Sequence, residues 1–128
     1  MTSCYQAAII GLGRIGSSYP SSGTSRTHAG AYSQNKRISI AAGVDKNSQA
    51  RRDFLHKWGS DIPVFSTVKE MLSSIKPDIV SICVPPKTLT DVVIEFSQMP
   101  PKLFFLEKPV VFDTDNSRKL LKTINNIP

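Results

Sequence analysis

Apolar positions come in short bursts separated by polar stretches of helical spacing, from one end of the chain to the other. "YQAAIIG" (5–11) is an apolar run closed by glycine, the pattern of a strand covered on both faces. Residues 28–35 then suit a helix, with Ala29, Ala31 and Tyr32 available for packing. "ISIAAGVD" (38–45) predicts a second strand. Asn47 can cap a helix over 48–58, where Ala50, Phe54, Leu55 and Trp58 recur at helical spacing. "VFS" (64–66) is a brief third strand, and Thr67 with Glu70 fits a capping box opening a helix through Ile75. After Pro77, "DIVSICV" (78–84) is strand four. Residues 88–97 read as a helix with Leu89, Val92, Val93 and Phe96 on one side. "KLFFLE" (102–107) is strand five, and 115–125 an amphipathic helix carrying Leu120, Leu121 and Ile124.

Five strands joined by helical crossovers predict the α/β class: a doubly wound parallel sheet of Rossmann type with helices on both faces. At 128 residues the chain has the size of one domain, and no repeat or linker divides it, so 1–128 is read as a single unit. The stretch "SSYPSSGTSRT" (17–27) is too rich in Ser, Gly and Pro to be helical throughout. A content of 40% apolar and 20% charged residues argues against disorder. No run approaches the roughly 18 apolar residues of a membrane span. The N-terminus lacks the basic start and apolar core of a signal peptide, which makes the cytoplasm the expected compartment. Cys4 and Cys83 show no metal-like spacing and read as small buried hydrophobes, so neither a disulfide nor a metal site is expected. The net charge of +6 raises nucleic acid as a partner. Yet basic residues never run longer than two and do not interleave with aromatics, so nucleic acid is not expected. Attraction of an anionic small ligand fits the charge equally well.

Chemistry enters at "IIGLGRIG". Gly11, Gly13 and Gly16 match G-x-G-x-x-G directly after a predicted strand. There the glycines serve a tight turn, close backbone approach to a pyrophosphate, and helix–strand packing. A helix start following the motif would offer free N–H groups and a positive dipole end to the phosphates. Arg14 and Ile15, inside the motif, join the candidate cofactor contacts. Asp45 closes the second strand, where an acid can hydrogen-bond a ribose diol; otherwise it is a plain strand-end residue. It lies 29 residues after Gly16, beyond the usual ~20, and the 17–27 stretch accounts for the excess. Lys46 follows and can reach a 2′-phosphate, so NAD is favoured and NADP stays open. A methyltransferase also uses such a loop and acid.

Strand four runs into "CVPP", placing Val84 and Pro85 where ligands sit in open parallel sheets. Strand five ends in "LEKPV", and its charged pair must emerge on the same sheet edge as Gly11, Asp45 and Pro85. Lys108 would lie near the nicotinamide end of a cofactor, able to polarise a substrate oxygen or pass a proton, with Glu107 orienting it. Pro109 restricts Lys108 to extended conformations, and the bond between them is a candidate for cis.

The ordered set "GLGRIG", "GVD", "TVKEML", "KPDIVSICVPP" and "LEKPV" resembles the nucleotide-binding half of the glucose–fructose oxidoreductase / inositol dehydrogenase / MocA family. The resemblance implies NAD(P)-dependent hydride transfer at a sugar or cyclitol hydroxyl. It also implies Gly11, Gly13 and Gly16 on the pyrophosphate, Asp45 on the adenosine ribose and Pro85 against the cofactor. Lys108 would face both nicotinamide and substrate. Three departures stand out. The histidine usually found shortly after the last glycine has its candidate twelve residues on, at His28. Leu89 occupies a position where a further histidine is common. Family members also carry a second α/β domain that supplies the substrate pocket and a catalytic histidine. His56, expected on the outer face of its helix, does not fill that role. The chain alone is therefore expected to bind cofactor without turnover. The alternative reading is a non-enzymatic NAD(H)-sensing or protein-interaction module. Self-association is left open.

Overall fold

The computed structural model describes residues 4–20 and 26–128. Five strands, β1 (Tyr5–Ile10), β2 (Ile38–Val44), β3 (Val64–Phe65), β4 (Ile79–Ile82) and β5 (Leu103–Leu106), form one sheet in the order β3-β2-β1-β4-β5. All neighbouring strands are parallel. The helices are α1 (His28–Gln34), α2 (Ser48–Trp58), α3 (Val68–Leu72), α4 (Pro86–Glu95) and α5 (Thr114–Asn125). This is the doubly wound α/β architecture expected of the sequence.

Alternation along the strands splits the core in two. Ala7 and Ile9 point to a cluster with Ala29 and Tyr32 of α1 and Phe54 of α2. Ala8 and Ile10 point the other way, to Met71 of α3, Leu89, Val93 and Phe96 of the α4 segment, and Leu120 of α5. Strand order reverses between β1 and β4, so their carboxyl ends open a crevice there.

Several element ends differ from expectation for local reasons. Helix α4 begins two residues early, because Pro85 sits at its N-cap and Pro86 at its first position, where a missing N–H costs no bond. Helix α3 stops at Leu72: the Ser73 and Ser74 hydroxyls donate to the carbonyls of Glu70 and Met71, competing with helical bonding. Only half of its capping box forms. Thr67 Oγ1 accepts the Glu70 N–H, but the Glu70 carboxylate accepts the Ser66 hydroxyl instead of reaching back. Asn47 caps α2 as expected, through Ala50 N–H. Ala31 is exposed rather than packed. Leu121 and Ile124 are also exposed, so α5 buries Leu120 alone of its three expected leucine and isoleucine positions.

The glycine motif does not open an α-helix. Gly13 leads into a single π-helical turn, Arg14–Ser18, and the first α-helix starts ten residues later at His28. The 17–27 stretch thus separates the glycine-loop turn from α1; its residues 21–25 lie outside the described residues. The cis Lys108–Pro109 bond considered from the sequence is present.

Candidate cofactor site

Gly11 adopts φ +94°, and a Cβ there would lie 2.5 Å from the Cys83 carbonyl oxygen. Only glycine lets β1 turn this tightly against β4. A Cβ on Gly16 would collide with the Gly11 carbonyl oxygen, so the π-turn folds back directly onto the strand end. Gly13 is different: a Cβ there would meet nothing within 4 Å. Its backbone faces open space, which is what a phosphate-bearing ligand needs. Ser17, buried beyond the motif, accepts a hydrogen bond from Trp58 Nε1 at 3.0 Å, and Lys57 Nζ donates to the Tyr19 carbonyl at 3.2 Å. Helix α2 therefore anchors the exit of the loop.

Across the crevice stands Asp45. Its Oδ2 accepts the Leu12 N–H at 2.9 Å and its Oδ1 the Asn47 N–H at 2.8 Å. Two backbone donors fix the plane of the carboxylate, and each oxygen keeps a lone pair for a further donor. Arg51 Nη1 donates to the Asp45 carbonyl at 2.6 Å, steadying the same residue from α2. Asp45 thus serves the fold before any ligand arrives, linking the glycine loop to the start of α2.

These residues wall a cleft of about 500 Å³. Of the sequence-derived candidates, Gly11, Gly13, Asp45, Lys46, Val84 and Pro85 line it. Arg14, Ile15, Gly16, Glu107 and Lys108 do not. Arg14 instead stacks its guanidinium on the Tyr19 ring, 4.6 Å from the centroid. Ile15 is exposed and Gly16 buried in the turn. Glu107 and Lys108 follow β5, whose carboxyl end shares this edge of the sheet but lies beyond the cleft lining. Glu107 does not pair with the Lys108 ammonium in the orienting role read from the sequence. Its Oε2 accepts the Lys108 backbone N–H at 3.2 Å, and its Oε1 lies 3.0 Å from His28 Nε2. That histidine hydrogen bond is the main reason the Glu107 carboxyl is held below its ordinary range.

Sequence reasoning missed Ser66, Thr67, Thr88 and Glu95, which complete the cleft wall. Their signal was positional for three of them: Ser66 and Thr67 follow β3 and Thr88 lies in the first turn of α4, at the carboxyl edge of the sheet, whereas Glu95 closes the far end of α4. Burial, with Asp91 adding to it, raises the Glu95 carboxyl above its usual value. Among the described residues no group of His, Cys, Asp or Glu is arranged to hold a metal ion. No described helix is long and apolar enough to cross a membrane.

A parallel sheet with this strand order, a glycine loop bordering open space and an acid at the end of β2 define a dinucleotide-binding Rossmann domain. The chain belongs to the Gfo/Idh/MocA oxidoreductase family: the model of its NAD-binding Rossmann fold matches residues 5–126. No curated protein matches the chain significantly in sequence. Among solved structures, a protein of Bordetella bronchiseptica assigned as a dehydrogenase is similar at 25% identity and a TM-score of 0.81, over 97% of this chain and 30% of its own. A protein of Sinorhizobium meliloti assigned as a myo-inositol dehydrogenase is similar at 25% identity and a TM-score of 0.76, over 96% of this chain and 33% of its own. The WlbA dehydrogenase of Bordetella pertussis, solved with NADH and UDP-GlcNAcA, shares the fold at 21% identity and a TM-score of 0.80, over 98% of this chain and 33% of its own. The chain spans about a third of the length of each of these proteins.

Proposed function

We propose that residues 1–128 form the cofactor-binding domain of an NAD(P)-dependent oxidoreductase acting on a sugar or cyclitol hydroxyl. The observation that carries this reading is the cleft, with the uncovered backbone of Gly13 on one wall and the locked carboxylate of Asp45 on the other. Gly11, Gly13 and Gly16, with Arg14 and Ile15, shape the pyrophosphate end. Asp45 takes the adenosine ribose, and Val84 and Pro85 border the cofactor further along. Bound there, the dinucleotide would accept a hydride from a carbinol carbon. Lys108 faces the substrate side, where its ammonium can stabilise the oxygen that gives up its proton; Glu107 holds the backbone that carries it. The family resemblance and the similarity to the inositol and sugar-nucleotide dehydrogenases support the hydroxyl class of substrate. The whole enzyme's chemistry needs the substrate domain of those longer relatives, so the chain alone binds cofactor without turnover.

Asp45 also favours NAD over NADP, because a carboxylate repels a 2′-phosphate; the neighbouring Lys46 ammonium works in the opposite direction. Calorimetry with NADH and NADPH tests both points. NADH binds more tightly to the parent chain, and Asp45→Asn weakens NADH by about tenfold or more, the size of hydrogen bonds to a charged group, while narrowing the preference. Absence of binding by either dinucleotide to the folded chain overturns the assignment. Unchanged NADH affinity in Asp45→Asn removes Asp45 from the ribose role.

A further inference from the structure

Behind the cleft, four polar side chains from three parts of the fold form one chain of hydrogen bonds. The Tyr32 hydroxyl on α1 bonds to Ser81 Oγ on β4. Ser81 Oγ lies 2.8 Å from Nδ1 of His28, also on α1, and His28 Nε2 lies 3.0 Å from Glu107 Oε1 at the end of β5. The other Glu107 oxygen accepts the Lys108 N–H. Tyr32, His28 and Ser81 are buried, and the His28 ring stands edge-on to Phe105 with centroids 4.7 Å apart. Polar groups in a core are costly unless every proton finds an acceptor, so the direction of these bonds can be worked out.

The two ends decide it. Glu107 is ionised and can only accept. Tyr32, whose hydroxyl burial pushes above its ordinary value, keeps its proton and can donate. Between them Ser81 has one proton and a neutral imidazole has one. Glu107 is satisfied only if His28 carries its proton on Nε2. Nδ1 is then an acceptor, Ser81 donates to it, and the Ser81 oxygen accepts from Tyr32. Every group is satisfied, with all donors running from α1 through the sheet towards Glu107. With the proton on Nδ1 instead, a bare Nε2 would face the carboxylate, lone pair against negative charge. With both nitrogens protonated, Nδ1–H donates to Ser81 Oγ, and of the Ser81 and Tyr32 hydroxyl protons only one then finds an acceptor within the network.

We infer that His28 is a positioning residue, held as the Nε2–H tautomer by Ser81 and Tyr32, that fixes Glu107 and through it the backbone of Lys108. The consequence for catalysis rests on the reading of Lys108 given above; the tautomer and the clamp do not. Both oxygens of Glu107 are turned to defined donors, one in the core and one in the turn. The carboxylate is thereby kept from swinging round to the Lys108 ammonium, which has no ion pair among the described residues. His28 is the residue displaced along the chain by the 17–27 stretch, and α1 nevertheless returns it to the end of β5.

Long-range proton–nitrogen NMR spectra of the 15N-labelled chain at about pH 8, where histidine is ordinarily neutral, read the tautomer directly. Wild type shows His28 as Nε2–H, and Glu107→Gln, which can donate as well as accept, lets the Nδ1–H form appear. Amide exchange reads the clamp. His28→Asn, whose amide mimics only the Nδ1 side, speeds exchange of the Lys108 amide by about tenfold or more with the central strands still protected. His28→Gln, which can place an N–H near Glu107, restores it. An Nδ1–H tautomer in wild type, or a Lys108 amide indifferent to His28→Asn in a folded protein, overturns the inference. If His28→Asn does not fold, the wild-type and Glu107→Gln spectra decide. None of these measurements contains a dinucleotide, so a failure to bind NADH would sink the cofactor reading and leave this one standing.

Discussion

Cys83 lies half-buried beneath the glycine loop, its thiol pushed up to about 12 by burial first and by the charge of Glu107 second. A thiol so reluctant to ionise is a poor nucleophile, whereas Cys4 is exposed. Alkylation at about pH 8 should therefore give one adduct on the native chain and two in urea, counted by mass spectrometry; two adducts forming natively at similar rates would contradict the placement. Glu107 makes a second residue-scale prediction. Its folded carboxyl is held below the ordinary value of 4.5, chiefly by the His28 hydrogen bond. A depressed carboxyl contributes stability that is present above the unfolded value and lost as pH falls through the folded one. The stability lead of wild type over Glu107→Gln should therefore shrink as pH drops below 4.5, followed by urea unfolding across that range. A lead that grows on acidification would show that the sign is wrong. Little of this was readable from the chain. Glu107 was assigned to orient the Lys108 ammonium because the two are adjacent, but partnership is decided by which atoms meet, and His28 comes from 79 residues away.

Elements were legible where periodicity spoke and less so where capping chemistry did. The four apolar positions of α4 are buried as their spacing requires, because a helix that covers a sheet shows it a single stripe. Its start was misplaced, since Pro85-Pro86 reads as a stiff turn until the N-terminal tolerance for proline is applied. The glycine motif was recognised, but not that it would wind into one π-turn. The three glycines are not equivalent, which gives a paired test. Gly16→Ala forces a methyl into the Gly11 carbonyl and should destabilise the fold by about 1–3 kcal/mol. Gly13→Ala meets nothing within 4 Å and sits at φ −78°, so stability should move by no more than about 0.5 kcal/mol. NADH affinity should nonetheless fall, because the methyl occupies the space proposed for phosphate. If Gly13→Ala binds NADH as wild type does, the phosphate is held elsewhere.

At the scale of the molecule, the chain carries a formal charge of +6 and a cleft proposed for an anion. Association with NADH should weaken steadily from about 10 to 300 mM salt as the field is screened, measured by fluorescence titration; a salt-independent affinity would confine the attraction to short-range contacts. The parallel sheet with helices on both faces followed from the alternation of elements, because right-handed crossovers leave few other topologies. What the sequence could not order was the neighbourhood of the 17–27 stretch, where two ends of chain are tied to different partners. At its start, Ser17 and Tyr19 are tied to Trp58 and Lys57 of α2. At its end, Thr27 caps α1 and the next residue, His28, hooks into β4 and the end of β5. A span whose two ends are moored independently can change length at little cost, since closure entropy grows only slowly with the number of residues. Between residues 20 and 26 the fold therefore offers a graft point beside the glycine loop, where a reporter peptide or a new recognition loop could be spliced in without moving the histidine.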